Sequence, residues 1–318
     1  MSQPIPIFYT ISDDFAPYAA VAIESLLPYV SSDHQYQIII VHQGLRQATR
    51  QNLKSLTRDN VEIIFYEIND AKLGAIQNRK ENFLRADFFT PSIFYRLFLA
   101  DLFPQYDKAI YIDSDTVVTD DIAKLYNTEL GNNLFGACTD SSIQYVDKMV
   151  KYIKDVLDLD PKKYINSGML VLNSKAFRDE GFIPHFMDLL EKYHFDCIAP
   201  DQDYLNEIGD GRILHLDPRW DAMPNENTEP LPNPGLIHYN LFFKPWHFDN
   251  VQYQDYFWKY AKETPFYEEL HAELDYYTDE ERTEDRAKLD HMLEKEDSTV
   301  VDPNNWAHVK AKGERIKL

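Results

Sequence analysis

Cysteine is scarce in this chain of 318 residues, which contains only Cys138 and Cys197. The two residues have no zinc-ligand spacing between them, so the sequence indicates neither a disulfide framework nor a zinc site. A reducing cytoplasm fits this composition best. The first residues, MSQPIPIFYT, lack the basic and long apolar regions of a signal peptide, and no apolar run is long enough to span a bilayer. Any membrane contact is therefore expected to be peripheral.

Positive charge is also scarce. The chain has 32 Lys and Arg residues against 53 Asp and Glu residues, which gives a formal net charge of -21 and an isoelectric point near 4.8. Bulk attraction to nucleic acid or to an anionic membrane is therefore not expected to be its main activity. An anionic substrate would need a metal ion or a few well-placed cations. The hydrophobic fraction of 44% allows a large core, in one domain with an appendage or in two domains.

Short apolar segments alternate with segments that have apolar residues at helical spacing. This alternation is typical of an α/β fold with a parallel sheet. Ser12 or Asp13 is expected to cap the first helix. Thr90 is expected to cap a later helix that has Pro91 at its first position. The predicted strands are residues 5–11, 35–44, 61–68, 109–113 and 168–173, and the predicted helices are residues 13–30, 45–56, 90–104 and 175–194.

Two carboxylates, Asp113 and Asp115, stand two residues apart where the predicted strand AIYID ends. Residues i and i+2 of a strand face the same side, so these groups repel each other unless positive charge lies between them. Ligands of open α/β sheets bind at the carboxyl ends of the strands. One interpretation is therefore a site for Mg²⁺ or Mn²⁺ that neutralises a bound diphosphate, because hard cations prefer oxygen ligands. A histidine ligand would favour Mn²⁺.

Two other interpretations of the DSDTV segment stay open at this point. The segment locally resembles the motif of the haloacid dehalogenase phosphatases, in which the first aspartate, here Asp113, is the nucleophile and the second, Asp115, is the general acid. That family carries the motif on its first strand, whereas residues 1–112 precede it here. Asp and Ser are also common turn formers, so a surface turn without chemistry is the third interpretation.

Four segments occur in order: DSD at 113–115, YINSGMLVLN at 164–173, DQDYLN at 201–206 and HYNLFFKPW at 238–246. Together they resemble the family 8 glycosyltransferases, over about residues 5–250. These are retaining enzymes of the GT-A type that use UDP-sugars, and they include bacterial galactosyl- and glucosyltransferases of surface polysaccharides and glycoproteins. The resemblance implies a Rossmann-like mixed sheet flanked by helices. It also implies transfer of glucose or galactose from a UDP-sugar to a saccharide, glycoprotein or glycolipid acceptor.

By the same resemblance, Asp113, Asp115 and His238 bind Mn²⁺, with Mg²⁺ as the second choice. Lys244 would meet the diphosphate and stabilise the leaving UDP. Gln202 is a poor nucleophile, so the hypothesis for retention is attack by the acceptor on the same face of the sugar, with the β-phosphate oxygen helping to take its proton. The catalytic residues implied are Asp201, Gln202 and Lys244.

The family motif has a glycine at the position of Leu241, where it lets the backbone approach phosphate closely. Phe15 stands where the family often has a tyrosine that faces uracil. Arg96 is expensive to bury alone, so it is expected either to meet the donor or to pair with an aspartate. The residues implied to bind the donor are Thr10, Ile11, Ser12, Phe15, Arg96, Ser114, Asp140, Asn166, Ser167, Leu241 and Lys244, with Gly168 beside Ser167.

Residues 1–250 are expected to form the catalytic domain and residues 251–318 a helical, aromatic appendage. The sequence of residues 275–297 predicts a solvent-exposed helix that is rich in both acidic and basic residues. Residues 304–318 are locally basic, with too few net charges for firm membrane anchoring. A non-catalytic UDP-sugar-binding protein that keeps the fold is the alternative function. The expected location is the cytoplasm, and peripheral contact with the inner face of the membrane is compatible with the sequence. No nucleic-acid partner is expected.

Overall fold

The computed structural model describes residues 3–68, 94–294 and 299–318. The strands in these ranges are β1 (Ile5–Thr10), β2 (Tyr36–His42), β3 (Val61–Glu67), β4 (Ala109–Ile112), β5 (Thr116–Val118), β6 (Phe135–Ala137), β7 (Met169–Leu172), β8 (Ile213–His215) and β9 (Leu236–His238). Among the described residues, seven of these strands form one sheet in the order β3-β2-β1-β4-β7-β6-β8, while β5 and β9 form a second sheet. The expected α/β class with a mixed sheet is confirmed.

Four strands of the main sheet, β3, β2, β1 and β4, run parallel. Ile7 in β1 lies opposite Ile38 of β2 and Ile110 of β4. β7 then joins β4 in the antiparallel direction and pairs antiparallel with β6. Because β1 and β4 are parallel neighbours, the residues that follow them meet at one edge of the sheet.

The main sheet separates two apolar layers. Ile7 and Ile38 belong to one layer, and their chain neighbours Phe8 and Ile39 belong to the other. Side chains of successive strand residues point to opposite faces, so a strand buried on both faces must be apolar throughout. This explains the uninterrupted apolar run in the second strand, residues 38–41.

Helices cover both faces of the main sheet. They are α1 (Ala16–Leu26), α2 (Gln47–Lys54), α3 (Tyr95–Leu102), α4 (Ile122–Tyr126), α5 (Asp147–Asp155), α6 (Ser174–Asp179), α7 (Phe182–Tyr193), α8 (Pro200–Gly209), α9 (Gln254–Ala261), α10 (Tyr267–Tyr276), α11 (Asp279–Leu293) and α12 (Trp306–Ala311). α1, α2, α4, α9 and α10 pack into the layer that contains Ile7. α3, α5 to α8, α11 and α12 pack into the layer that contains Phe8.

The predicted cap of the first helix is wrong. α1 begins at Ala16, and Phe15 occupies its N-cap position without a side-chain hydrogen bond. Ser12 and Asp13 lie in the preceding turn, where the Asp13 carboxylate accepts the backbone N–H of Arg46 at 3.2 Å. The carboxylate therefore satisfies a loop donor and not the orphan donors of the helix.

The predicted helix at 175–194 is two helices, α6 and α7. Gly181 separates them with a φ of 69°, which glycine adopts without steric cost. The predicted starting residues of the helix at 90–104, Thr90 and Pro91, lie outside the described residues.

The small sheet joins two motifs that are distant in the sequence. β5 and β9 pair antiparallel, with Thr116 opposite His238. The backbone N–H of Tyr239 also donates to the carbonyl of Asp115 at 2.9 Å. Because β5 starts directly after the DSD segment, this pairing fixes His238 beside the two aspartates.

Residues beyond 250 pack against the rest of the chain. The ring of Trp306 stacks on Phe195 with centroids 3.6 Å apart, and Lys310 forms a 2.7 Å ion pair with the buried Glu207. A division into two parts at residue 250 stays a prediction. None of the helices in the described ranges combines the length and hydrophobicity that a bilayer span requires.

Candidate active site

Asp113, Asp115 and His238 come together at the carboxyl edge of β4. One ligand atom from each residue lies within 4.8 Å of the other two. His238 Nε2 is 3.9 Å from Asp113 Oδ2 and 3.4 Å from Asp115 Oδ1. Two carboxylates and one imidazole therefore converge on a small volume, and oxygen with nitrogen is a donor set that suits Mg²⁺ or Mn²⁺.

Asp221 orients the imidazole of His238. Asp221 Oδ1 lies 3.1 Å from His238 Nδ1, and the Asp221 side chain is fully buried. A carboxylate on one ring nitrogen turns the other nitrogen, Nε2, towards the two aspartates, as is usual for histidines that bind metals. Burial alone would lower the pKa of His238, but Asp115 and Asp221 raise it to about 10. Burial raises the pKa of Asp221, although His238 acts in the opposite direction.

Arg96 balances the charge of Asp113. Its Nη2 lies 2.9 Å from Asp113 Oδ1, and its Nη1 lies 3.2 Å from Oδ2. The hydroxyl of Tyr111 donates to the same carboxylate, and the guanidinium lies 4.5 Å from the centroid of the Tyr111 ring. Burial raises the pKa of Asp113, while Arg96 acts in the opposite direction. The buried arginine is therefore paired with an aspartate, one of the two arrangements expected from the sequence.

Lys244 balances the charge of Asp115. Its Nζ lies 2.6 Å from Asp115 Oδ2 and also donates to the carbonyl of Tyr239. Burial would raise the pKa of Asp115, but Lys244 and His238 together lower it below its ordinary value. Lys244 occupies Oδ2 and leaves Oδ1 facing His238. The described residues thus fit a divalent cation, because one oxygen of each aspartate faces an oriented imidazole nitrogen.

Gly168 makes room for this cluster. A methyl group on its α-carbon would lie 2.2 Å from His238 Cε1 and 2.8 Å from Asp113 Oδ2. The carbonyl of Gly168 also accepts the backbone N–H of Asp113 at 2.7 Å. Glycine is thus needed here for close approach of the backbone to the cluster.

Arg96 also connects the cluster to the start of α8. Its Nη1 donates to the Ser167 carbonyl at 2.7 Å, and its Nε lies 3.2 Å from Asp201 Oδ2. The hydroxyl of Ser167 donates to the same oxygen of Asp201 at 2.9 Å. Asp201 lies in the first turn of α8, where the helix dipole favours negative charge.

The amide of Gln202 is held at both ends. Its Oε1 accepts the backbone N–H of Ser167 at 3.0 Å, and its Nε2 donates to Asp140 Oδ2 at 3.1 Å. Asn166 donates to the same oxygen of Asp140 at 3.0 Å, and its own Oδ1 accepts the N–H of Gly168 at 2.8 Å. These buried polar groups form a connected network that fixes their rotamers.

The turn after β1 lies beside the cluster. Thr10 Oγ1 is 3.1 Å from the hydroxyl of Tyr111, which itself donates to the first aspartate of the DSD segment. Ile11 is buried, whereas Ser12 and Phe15 are partly exposed. Ser114 is buried between the two aspartates. The predicted nucleotide turn and the DSD segment thus share one edge of the sheet.

Leu241 keeps the backbone conformation that glycine favours. Its φ is 57°, in the left-handed region. A residue with a β-carbon pays about 1–2 kcal/mol for this conformation. The leucine at this position therefore adopts a backbone conformation that is open to glycine without strain.

A cleft of about 480 Å³ opens next to the network. Ser142 lies in its wall and donates to Asp140 Oδ1 at 2.6 Å, and Asn240 donates to the Ser142 hydroxyl at 2.9 Å. The rest of the lining includes the aromatic rings of Phe243 and Phe248, the amides of Asn225, Asn227, Asn250 and Gln252, and the charged residues Glu226, Asp249 and Arg286.

Asp221 and Tyr111 contact the cluster but were not predicted from the sequence. Tyr111 shares a face of β4 with Asp113, so the alternation of strand residues could have indicated it. Asp221 lies in the connection between β8 and β9, far from any recognised motif, and only the folded chain brings it to His238. Asp203, which follows Gln202 in the DQDYLN segment, is buried and accepts the hydroxyls of Tyr152 at 2.7 Å and Tyr164 at 2.5 Å. Burial raises the pKa of Asp203 to about 7.

The mixed sheet, with two aspartates and a histidine at its carboxyl edge, agrees with the GT-A-type glycosyltransferase fold that the sequence resemblance implies. Residues 6–250 match the sequence model of the family described as Glycosyl transferase family 8, and the chain belongs to this family. It is similar to a putative glycosyltransferase of Haemophilus influenzae, at 24% identity over 226 residues that cover 71% of this chain and 65% of that protein.

Solved structures share the fold. One is the apo structure of the bifunctional glycosyltransferase WbbM, at 24% identity and a TM-score of 0.72, covering 86% of this chain and 52% of that one. Another is the galactosyltransferase LgtC in complex with donor and acceptor sugar analogues, at 24% identity and a TM-score of 0.68, covering 85% of this chain and 100% of that one. Because this chain spans about two thirds of the Haemophilus influenzae relative and half of WbbM, the substrates of those whole proteins do not follow from the likeness.

Proposed function

We propose that this glycosyltransferase moves a hexose, glucose or galactose, from a UDP-sugar to a saccharide or glycoconjugate acceptor, with retention of configuration and with Mn²⁺ or Mg²⁺. The convergence of Asp113, Asp115 and His238 beside Lys244 carries the proposal. A chain with a net charge of -21 repels a diphosphate in bulk, so this local group of cationic and metal-ligating residues supports binding of such a substrate.

The leaving group is the main point of stabilisation in this proposal. A bound divalent cation would neutralise the diphosphate and the charge that develops on it as UDP departs. Asp113, Asp115 and His238 would hold this cation, and Asp221 would keep the imidazole turned towards it. The ammonium group of Lys244, already beside Asp115, would contact the departing diphosphate and stabilise its negative charge.

The donor sugar would lie over Asp201 and Gln202. Both ends of the Gln202 amide are engaged, by Ser167 and by Asp140, and an amide so held is a poor nucleophile. This supports attack by the acceptor hydroxyl on the face that UDP leaves. The bond from the anomeric carbon to the phosphate oxygen breaks, the bond to the acceptor oxygen forms, and the hydroxyl proton passes to a β-phosphate oxygen.

The donor-binding residues named from the sequence are retained as part of the proposal. The turn from Thr10 to Phe15 would hold the nucleotide, and Asn166 with Ser167 would line the sugar. The cleft beside Ser142 would receive a saccharide acceptor, because aromatic rings and amides are suited to sugar faces and hydroxyls. A cytoplasmic location stays a prediction.

The two alternative functions are not supported. Membership of glycosyltransferase family 8 overturns the interpretation of Asp113 as the nucleophile of a haloacid dehalogenase phosphatase. A non-catalytic binding protein would not need the complete set of Asp113, Asp115, His238 and Lys244.

Release of UDP from UDP-glucose and UDP-galactose tests the proposal. Each donor is assayed with Mn²⁺, with Mg²⁺ and with EDTA, for the wild type and for Asp115→Ala. We expect metal-dependent turnover of one donor and a loss of at least about 100-fold in the variant, the size typical of a misplaced reacting group. Asp179→Ala, which removes an exposed aspartate paired with Lys175, is the matched control and should keep wild-type turnover. Turnover that is unaffected by EDTA would refute the metal-dependent mechanism.

Gln202→Ala tests the sugar side of the site. The variant should lose turnover by about 10–100-fold, because the amide orders Ser167 and Asp140 beneath the donor. Nearly full activity would remove Gln202 from the reaction.

A further inference from the structure

His247 lies in a second cluster of charged and aromatic groups, which the proposed reaction does not use. Its Nε2 is 3.0 Å from Glu273 Oε1 and its Nδ1 is 3.1 Å from Asp285 Oδ2. The imidazole stacks on the ring of Tyr277, with centroids 3.8 Å apart and planes inclined by 7°. Glu273 belongs to α10 and Asp285 to α11, so two helices beyond residue 250 contact the His247 side chain.

Both ring nitrogens of His247 face a carboxylate oxygen. Each ring nitrogen therefore has a hydrogen-bond partner of its own, one on each of the two helices. The nitrogens point in opposite directions along the ring, and the two carboxylates therefore cannot share one metal ion with this histidine. The cluster is a clamp on the histidine and not a second cation site.

The carboxylates of the clamp are themselves held. Asp285 is 2% exposed on its side chain and accepts the hydroxyl of Tyr277 at 2.7 Å and the ammonium of Lys288 at 2.7 Å. Glu273 accepts the hydroxyl of Tyr18 at 2.7 and 2.8 Å. Tyr18 lies on α1, directly after the turn proposed to hold the nucleotide. The clamp is therefore rigid, and it connects α1 with α10 and α11.

The clamp reaches the backbone of Lys244. The N–H groups of His247 and Phe248 both donate to the Lys244 carbonyl at 3.0 Å, which forms a tight turn. Arg282 of α11 donates to the carbonyl of His247 at 2.8 Å. Trp246, inside this turn, stacks on Tyr18 with ring centroids 4.1 Å apart. The turn of residues 244–248 is thus closed by its own backbone hydrogen bonds. It is also held from outside by contacts to the side chains of Trp246 and His247 and to the carbonyl of His247.

We propose that His247 is a positioning residue, which fixes Lys244 beside Asp115 by anchoring residues 244–248 to α10 and α11. The inference rests on the proposed role of Lys244 at the donor diphosphate. It gives the segment after residue 250 a part in the reaction, because Glu273 and Asp285 act on Lys244 through His247. A lysine has a long flexible side chain, so the point where its backbone is fixed decides where its ammonium can lie.

A double-mutant cycle between His247 and Lys244 tests the proposal. The variants His247→Ala, Lys244→Ala and the double variant are assayed for metal-dependent release of UDP, with kcat and KM determined separately. His247→Ala should lower kcat by about 10-fold or more, because a small displacement of a reacting group is enough for such a loss. In the Lys244→Ala background the same change should cost less than about 2-fold, since coupled residues are not additive.

His271→Ala is the matched control. His271 lies on α10 and pairs with Asp275 at 3.0 Å, but its side chain is 47% exposed and it lies outside the clamp. This variant should keep the wild-type kcat. Thermal unfolding of every variant is followed alongside, so that a loss of fold is seen as such.

Equal losses of kcat from His247→Ala in the wild-type and Lys244→Ala backgrounds would overturn the positioning role, because a purely structural contact acts whether or not Lys244 is present.

Glu273→Gln, which keeps the side-chain shape and removes its charge, is the second variant if His247→Ala does not fold. Glu273→Gln should lower kcat in the wild-type background but hardly at all in the Lys244→Ala background. An equal loss of kcat in both backgrounds would overturn the proposal. If Lys244→Ala retains wild-type turnover, the proposed function of Lys244 fails. If it loses turnover while His247→Ala does not, only the positioning role fails.

Discussion

The backbone of Gly168 and the imidazole of His238 are in direct contact. A β-carbon on Gly168 would lie 2.2 Å from His238 Cε1, well inside the distance at which two carbon atoms repel. Gly168 precedes β7 and His238 ends β9, so two separate strands meet at this point. The contact explains why a glycine follows Asn166 and Ser167 in the sequence, and it ties the proposed sugar-binding segment to the proposed cation site.

Gly168→Ala should therefore disable the site without removing any functional group. The added methyl group must displace His238 or Asp113, and a displacement of about 1 Å costs about 100-fold in rate. Metal-dependent UDP release measures the loss. Gly44→Ala is the matched control, because a β-carbon at Gly44 meets nothing within 4 Å. Activity of Gly168→Ala within a few-fold of the wild type would mean that His238 does not need its present position.

Asp221→Ala should weaken the binding of Mn²⁺. Asp221 is the partner of His238 Nδ1, and loss of such a supporting carboxylate typically costs about 10–100-fold in metal affinity or activity. The concentration of Mn²⁺ that gives half-maximal UDP release is the measurement. The value for Asp188→Ala, which removes an exposed aspartate on α7, should equal that of the wild type. An unchanged value for Asp221→Ala would contradict the assigned role.

Leu241→Gly should be more stable than Leu241→Ala. Both changes remove the leucine side chain, but only glycine relieves the left-handed φ of 57°. Alanine keeps a strain of about 1–2 kcal/mol, which outweighs the greater flexibility of glycine in the unfolded chain. The expected difference in the free energy of unfolding is about 1 kcal/mol, measured by urea denaturation. A more stable alanine variant would show that the backbone at position 241 is not held in this conformation.

Asp203 should make the protein less stable as the pH rises from about 4 to 7. Burial raises its pKa in the folded state to about 7, whereas an unfolded aspartate has a pKa near 3.9. Between these values the folded state binds more protons than the unfolded state, so each pH unit costs up to about 1.4 kcal/mol of stability. The contribution is fully present below pH 4 and is lost as the pH passes 7.

Asp203→Asn should remove this part of the pH dependence, because an amide does not titrate. Its free energy of unfolding, measured in urea at pH 5, 6, 7 and 8, should fall less steeply with pH than that of the wild type. Identical slopes for the two proteins would show that Asp203 is already ionised at low pH and that its contacts with Tyr152 and Tyr164 stabilise the carboxylate.

Local patterns in the sequence were enough for the longer strands β1, β2, β3, β4 and β7, whereas the three-residue strands β5, β6, β8 and β9 are too short to show a pattern and were not predicted. Buried parallel strands are apolar throughout, as at residues 38–41, and this signal does not depend on the rest of the chain. The break at Gly181 was harder to predict, because an isolated glycine inside an apolar periodic segment is compatible with either one helix or two. The predicted cap of α1 was wrong for a different reason. The Asp13 carboxylate accepts the backbone N–H of Arg46, which is distant in the sequence.

The sequence by itself determined the class of fold, the family and the identity of the converging residues Asp113, Asp115 and His238, because each is carried by a short motif. Only the tertiary structure decided how their charges are balanced. Arg96 pairs with Asp113, Lys244 with Asp115 and Asp221 with His238, and each partner comes from a different element of the chain. Pairing of charges depends on distances of a few ångströms between residues far apart in the sequence, and these distances exist only once the sheets have formed.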